Sequence, residues 1–362
     1  MSRKQTILTI QAATVIASST FGVSVLSFPN AMARSAGTGA PLMTVAGILL
    51  ALLGFWPLAS LGRKFKGQTI FEYGQVLIGK WAAAGIHVLL LLFFTVSSAL
   101  YIREFGNVLS IVVFRKTPIE VSMILILLTV AFSCRRDVVK FSYIHIFYFP
   151  FMFLPFLLLM LLSVSRIDIL NLLPMMGNHP MNPIGFAQSL SLYLGTFVIT
   201  VLIPHMSNPE ASMKSVIYGI IASGALYLLM ILSSLGIYGV QETKKLIYPT
   251  LELSRSISLG GVLERFDVLF IVVWFVTVYT TIYTSYYLAS YTLSKLLNFS
   301  DLRVSSSFLF PFLLAISLIP RSVFQSGDIA RSTEFVGIVL AILYPLLLKI
   351  ISLFHRRRER NP

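Results

Sequence analysis

The sequence predicts an all-helical integral membrane protein with ten transmembrane helices, folded as a 5+5 inverted repeat in which spans 1 and 6 are broken. Three observations carry this. The 362 residues are 56% apolar and only 12% charged, about half the charge of a soluble domain. The apolar residues gather into runs long enough to cross a bilayer, which takes roughly 20 residues each. Two of these runs, five spans apart, are interrupted by Gly and Pro in matching places. A soluble fold this apolar needs a core larger than one domain provides. Disorder needs polar bulk, and the single cysteine, Cys134, leaves no internal disulfide.

The spans read as 8–32, 40–60, 82–113, 118–134, 141–165, 184–204, 214–238, 266–293, 305–320 and 334–354. They form a single membrane domain (1–362): a first five-helix repeat over 8–165, a second over 184–354, and a basic cytoplasmic tail over 355–362. Arg3, Lys4 and the triplet Ala31-Met32-Ala33 resemble a secretory leader. The run between them is longer than a leader's, and further spans follow directly, so it reads as a span.

Orientation follows from the basic residues between spans. With both termini cytoplasmic, the inner segments hold 17 Lys and Arg against five acids, and the outer segments 10 against eight. Glu334, at the edge of the last span, is counted among the outer acids, and Arg103 and Glu104 cancel within span 3. Nearly all of the +14 net charge is then cytoplasmic. It reads as an orientation signal beside anionic lipid headgroups, not as a nucleic-acid surface.

Span 1 contains Gly22-Val23-Ser24-Val25-Leu26-Ser27-Phe28-Pro29, and span 6 contains Tyr193-Leu194-Gly195-Thr196 ahead of Pro204. Gly permits unwinding, and Pro removes a donor and clashes with the preceding turn. Either interruption alone is an ordinary kink of a spanning helix. The pairing adds more: spans 1 and 6 run in opposite directions. Each is followed by a plain span, a mixed loop (61–81 with Ile70, Tyr73, Leu77 and Trp81; 239–265) and a long span. This order, occurring twice and inverted, places a ligand site near the midplane where the broken helices meet.

Few ionisable groups reach membrane depth. Arg103 and Glu104 read equally as a functional pair or as interfacial residues. Asp267 reads as a helix-end charge. Span 8 is the most hydroxyl-rich, with stripes of Tyr279, Tyr283, Tyr287 and Tyr291, of Thr280 and Thr284, and of Thr277, Thr281 and Ser285. Helix packing accounts for about half of these hydroxyls; the rest suit a helix lining a site. His87, His145, His179, His205 and His355 show no ligand spacing, and Cys134 beside Arg135 reads as an inert interfacial thiol. No catalytic motif, metal or cofactor is expected, so the chain reads as a non-enzyme. Neither break carries Asp or Glu, which favours a neutral or zwitterionic ligand over ion pumping.

The chain resembles the B subunit of the GerA-type spore germinant receptors, a family of the amino acid–polyamine–organocation superfamily with a LeuT-like core. The resemblance rests on residues 22–29, Arg103-Glu104-Phe105, Thr117-Pro118, Tyr193-Leu194-Gly195, and Tyr248-Pro249-Thr250-Leu251-Glu252-Leu253, continued by Leu263-Glu264-Arg265-Phe266-Asp267 and Trp274. Where some members carry an acidic residue after the span-6 glycine, this chain has Thr196-Phe197-Val198. The resemblance implies a nutrient sensor of the spore inner membrane that binds a small germinant, an amino acid for instance. It also implies work with an A subunit and a C-subunit lipoprotein, and no nucleic acid.

The expected site lies between the breaks: Gly22, Ser24 and Val25 of span 1, Gly195 and Thr196 of span 6, Ser97 and Tyr101 of span 3, and Tyr279, Thr280, Tyr283 and Thr284 of span 8. Half-helix N–H groups would receive a carboxylate and exposed carbonyls an ammonium. Three readings stay open: a receptor subunit, an amino acid transporter coupled to H⁺ or Na⁺, and a structural subunit whose site is unused.

Overall fold

The computed structural model describes residues 6–114, 116–177, 182–256 and 266–358. Arg3, Lys4, Arg115, His179, Leu263-Glu264-Arg265, the side chain of His355 and tail residues 359–362 lie outside the described residues.

The chain opens with α1 (Thr9–Thr20), α2 (Phe28–Ala36) and α3 (Ala40–Lys64). Pro29 and Pro41 sit in first turns, where their missing N–H costs nothing. Gly37 (φ +57) turns the chain between α2 and α3. The short α4 (Ile70–Ile78) begins on a capping box in which the Thr69 N–H donates to Glu72 at 2.7 Å. It buries Ile70, Tyr73 and Leu77, whereas Trp81 opens the next helix and is 87% exposed, so the expected stripe ends before it. Then come α5 (Lys80–Val112), α6 (Ile119–Ser133), α7 (Val138–Ser163), α8 (Pro183–Ser191), the single turn α9 (Ile199–Leu202) and α10 (Ser212–Thr243). The chain continues through α11 (Pro249–Ser256), α12 (Phe266–Leu297), α13 (Leu302–Leu318), α14 (Val323–Ile338) and α15 (Tyr344–Arg358).

Among the described residues, six helical stretches are long and apolar enough to cross a bilayer: Phe28–Lys64, Lys80–Val112, Val138–Arg166, Pro209–Thr243, Asp267–Leu297 and Val323–Phe354. The pair Pro183–Ser191 and Leu194–His205, bent by 44°, makes a seventh if counted as one span. Among the described residues there is no β-strand, only an isolated bridge from Ile7 to Met206. The chain is a multi-pass, all-helical membrane protein. Large apolar side chains such as Leu53, Phe132, Phe147 and Leu161 stay exposed on the outer helix faces, where lipid solvates them. Inside, α1 packs against α7, α10 and α12, and α12 also packs on α5.

The last long stretch begins at Val323, well before the expected edge at residue 334. Ser322 caps it, its Oγ accepting the Gln325 N–H at 3.2 Å. Glu334 therefore lies within the helix, not in an outer segment. Cys134, at the end of α6, is fully buried.

Candidate ligand-binding site

Both interruptions arise from close approach between helices. At the end of α1, Phe21 N–H still reaches Ala17 O at 3.0 Å. The chain then passes through Gly22 and one 3₁₀ turn, Val23–Val25, before α2 begins. Gly22 has φ −151, so no left-handed conformation requires glycine. Space does: a Cβ there would lie 1.6 Å from Thr281 Oγ1 of α12. The second interruption is a 3₁₀ stretch, Leu194–Val198, between α8 and α9. A Cβ on Gly195 would lie 2.5 Å from the Ser19 carbonyl oxygen, so the two interruptions touch backbone to backbone.

Interrupted helices leave carbonyls that must be paired when buried. Side chains from three other elements take those of the first break. Thr280 Oγ1 donates to Ser18 O at 3.1 Å, Tyr227 OH to Thr20 O at 3.0 Å, and Thr250 Oγ1 to Val25 O at 2.8 Å. The N–H groups of Val25 and Ser27 take Gly22 O and Ser24 O at 3.1 and 3.2 Å. Five of the carbonyls expected to wait for an ammonium thus already accept a hydrogen bond.

A small cavity of about 40 Å³ lies beside the breaks. The first break contributes Ser19, Thr20, Gly22, Val23 and Ser24, and the second contributes Ser191, Leu192, Leu194 and Gly195. From α5 come Phe93, Phe94, Ser97 and Tyr101, and from α12 Thr281, Thr284, Ser285 and Leu288. Tyr227 of α10 and Glu334 of α14 complete the lining. Six of the expected site residues border it: Gly22, Ser24, Ser97, Tyr101, Gly195 and Thr284.

The other five expected residues do not line it. Val25 is buried, its carbonyl engaged by Thr250. Thr196 is buried with its hydroxyl unpartnered among the described residues. Thr280 is a strut to Ser18 O. Tyr279 and Tyr283 turn toward α6, their hydroxyls donating to Ser133 Oγ at 2.7 Å and Ser133 O at 3.2 Å. The tyrosine stripe is a packing seam, and of the threonine and serine stripes Thr281, Thr284 and Ser285 line the site.

Two features escaped the sequence reading. Glu334 brings a carboxylate to the cavity. His145 of α7 sits between α1 and α12, fully buried, with Nδ1 2.6 Å from Ser18 Oγ and Nε2 3.2 Å from Thr284 Oγ1. Thr284 Oγ1 in turn lies 2.8 Å from Ser19 Oγ, so the network ends on two cavity-lining hydroxyls. No spacing in the sequence links these residues.

Near the segment before α11, Arg103 is buried and Glu104 half-buried. Glu104 accepts hydrogen bonds from Tyr248 OH at 3.2 Å and Asn107 Nδ2 at 3.4 Å, while Arg103 Nε is unpartnered among the described residues. Burial, with the Glu104 carboxylate beside it, pushes the Tyr248 phenol well above its ordinary value and keeps it a donor.

Comparison with known proteins adds a family. The profile of the spore permease family, described as spore germination protein, matches residues 6–325. Spore germination protein YndE of Bacillus subtilis is 23% identical over 98% of both chains. Spore germination protein GerLB of Bacillus cereus is 24% identical over 96% of this chain and 94% of its own length. Spore germination protein A2 of Bacillus subtilis is 27% identical over 75% of this chain and 76% of its own. With most of its length matched by the profile, the chain belongs to the spore permease family of spore germination proteins.

Proposed function

We propose that this chain is the membrane subunit of a nutrient germinant receptor, binding a small germinant, an amino acid, in the cavity beside the two breaks. In this reading the helices form ten spans in a 5+5 inverted repeat, with both termini cytoplasmic and the chain in the spore inner membrane. Binding favours one arrangement of the repeats, and a partner A subunit and C-subunit lipoprotein respond to it. The observation that carries the reading is a polar cavity formed where two interrupted helices touch, in a member of a spore germination family. Its small size suits a ligand of a few heavy atoms.

The test replaces Thr284 with Leu in a sporulating host, filling the cavity from α12 without touching the Gly22 contact. The expected result is a lost response to one nutrient with chemical germination intact. An unchanged response to every nutrient overturns the site.

A second reading, a transporter coupled to H⁺ or Na⁺, is favoured by Glu334 and by the His145 network beside the cavity. Ion-dependent amino acid uptake by proteoliposomes holding this chain alone would select it.

A further inference from the structure

We propose that Glu334 is the counter-ion for a protonated amine, so that the cavity selects ligands carrying an ammonium group over equally sized ligands that lack one. The inference rests on the ligand-binding reading above and names the chemistry of its recognition.

The argument is one of charge among acceptors. An ammonium bound in a buried site needs acceptors for its three donors, and preferably a negative charge. Five backbone carbonyls of the first break, those of Ser18, Thr20, Gly22, Ser24 and Val25, already accept from Thr280, Tyr227, Thr250 and two N–H groups. The lining hydroxyls of Ser19, Thr20, Thr281, Thr284 and Ser285 donate to their own helices, and their lone pairs can accept from an ammonium but bring no negative charge. Among the described residues, Glu334 supplies the one carboxylate of the lining.

The geometry holds that carboxylate at depth. Glu334 lies eleven residues past the start of α14, about 17 Å along the axis. Gly337, three residues on and on the same face, lets α14 press against the cavity wall. A Cβ there would lie 2.4 Å from the Phe93 ring and 2.8 Å from Leu194. The nearby cation, Arg331, is paired with Asp328, and Glu334 makes no ion pair among the described residues. The Ser191 hydroxyl lies beside it and donates to Gln188 O at 2.9 Å. Ser24, Ser97 and Tyr101 carry lining hydroxyls that make no hydrogen bond among the described residues, free to receive the rest of the ligand. A carboxylate left unpaired in a membrane-embedded cavity is costly, and a ligand ammonium relieves that cost.

The experiment uses the full chain in lipid nanodiscs and three small pairs: glycine with glycolate, L-alanine with L-lactate, and L-serine with L-glycerate. Binding is read by calorimetry. The expected result is at least one amino acid bound roughly tenfold or more tightly than its hydroxy acid. In Glu334→Gln, with unchanged melting, that preference falls to within about twofold. A preference retained by Glu334→Gln overturns this inference and leaves the cavity reading standing. Equal binding of amino acid and hydroxy acid by the wild-type chain overturns it without any variant. If none of the six compounds binds the wild-type chain, the amino acid reading falls and this inference falls with it.

Discussion

Ser18 Oγ lies 2.6 Å from His145 Nδ1, and through this contact α7 reads the last turn before the first break. The other ring nitrogen meets Thr284 on α12, so one imidazole joins three helices at the cavity's edge. A fully buried ring with both nitrogens engaged is a rigid cross-brace.

His145→Ala removes both contacts and leaves a void. Ser18 and Thr284 retain bonds to Val15 O and Thr280 O, which limits the loss. The expected destabilisation is on the order of 2–4 kcal/mol. It is read as a drop in melting temperature of the purified chain. A melting temperature unchanged within error would show that the brace contributes nothing.

The Gly22–Thr281 contact predicts a coupled pair. Gly22→Ala puts a methyl 1.6 Å from Thr281 Oγ1 and 2.6 Å from Thr281 Cβ, so Thr281→Ala cannot relieve it but Thr281→Gly can. The single Gly22→Ala variant should lose both stability and ligand binding. The double variant should recover melting temperature by an amount that the sum of the single effects does not give. Strict additivity would place the cause elsewhere.

How much of this was visible in the sequence depends on the kind of signal. Gly22 and Gly195 announced themselves because Gly within an apolar run is conspicuous, although they serve close approach more than unwinding. The hydroxyl stripes of span 8 were also visible. Their facing was not, since period alone cannot say which stripe meets α6 and which meets the cavity. Glu334 was misread because the stretch Gln325, Ser326, Asp328, Arg331, Ser332, Thr333 looks like a polar loop. In the structure it is the first part of a helix capped by Ser322. His145 was invisible because its partners lie 127 and 139 residues away.

The Glu72–Lys295 ion pair, 2.6 Å long, ties α4 to the end of α12. Burial raises the Glu72 carboxyl, but the Lys295 hydrogen bond and the Thr69 N–H outweigh it and hold the group below its ordinary value. A depressed carboxyl stabilises the fold above its unfolded value, about 4.3, and the contribution disappears as pH falls through the folded value. Both side chains are more than a third exposed, so the contribution is about 1 kcal/mol or less. Melting curves from pH 7 to pH 3 should fall more steeply for wild type than for Glu72→Gln. Parallel curves would remove the linkage.

The Tyr227 hydroxyl predicts the sharpest interaction with Glu334. Tyr227 lines the cavity, and its OH occupies the Thr20 carbonyl, 3.0 Å away. Tyr227→Phe removes that donor and exposes a buried acceptor, at a cost of about 1–3 kcal/mol. It also returns to the cavity an acceptor that a ligand ammonium can use. If occupied carbonyls are the reason Glu334 is needed, the order of effects is fixed. Glu334→Gln alone loses the preference for glycine or L-alanine over the matching hydroxy acid. Adding Tyr227→Phe in that background restores part of it, because the Thr20 carbonyl then accepts from the amine. In the wild-type background the same change lowers melting temperature with little effect on the preference. The four chains form a double-mutant cycle read by calorimetry. A further loss of preference in the double variant, in place of recovery, would mean that Tyr227 itself contacts the ligand and that the Thr20 carbonyl is no substitute acceptor.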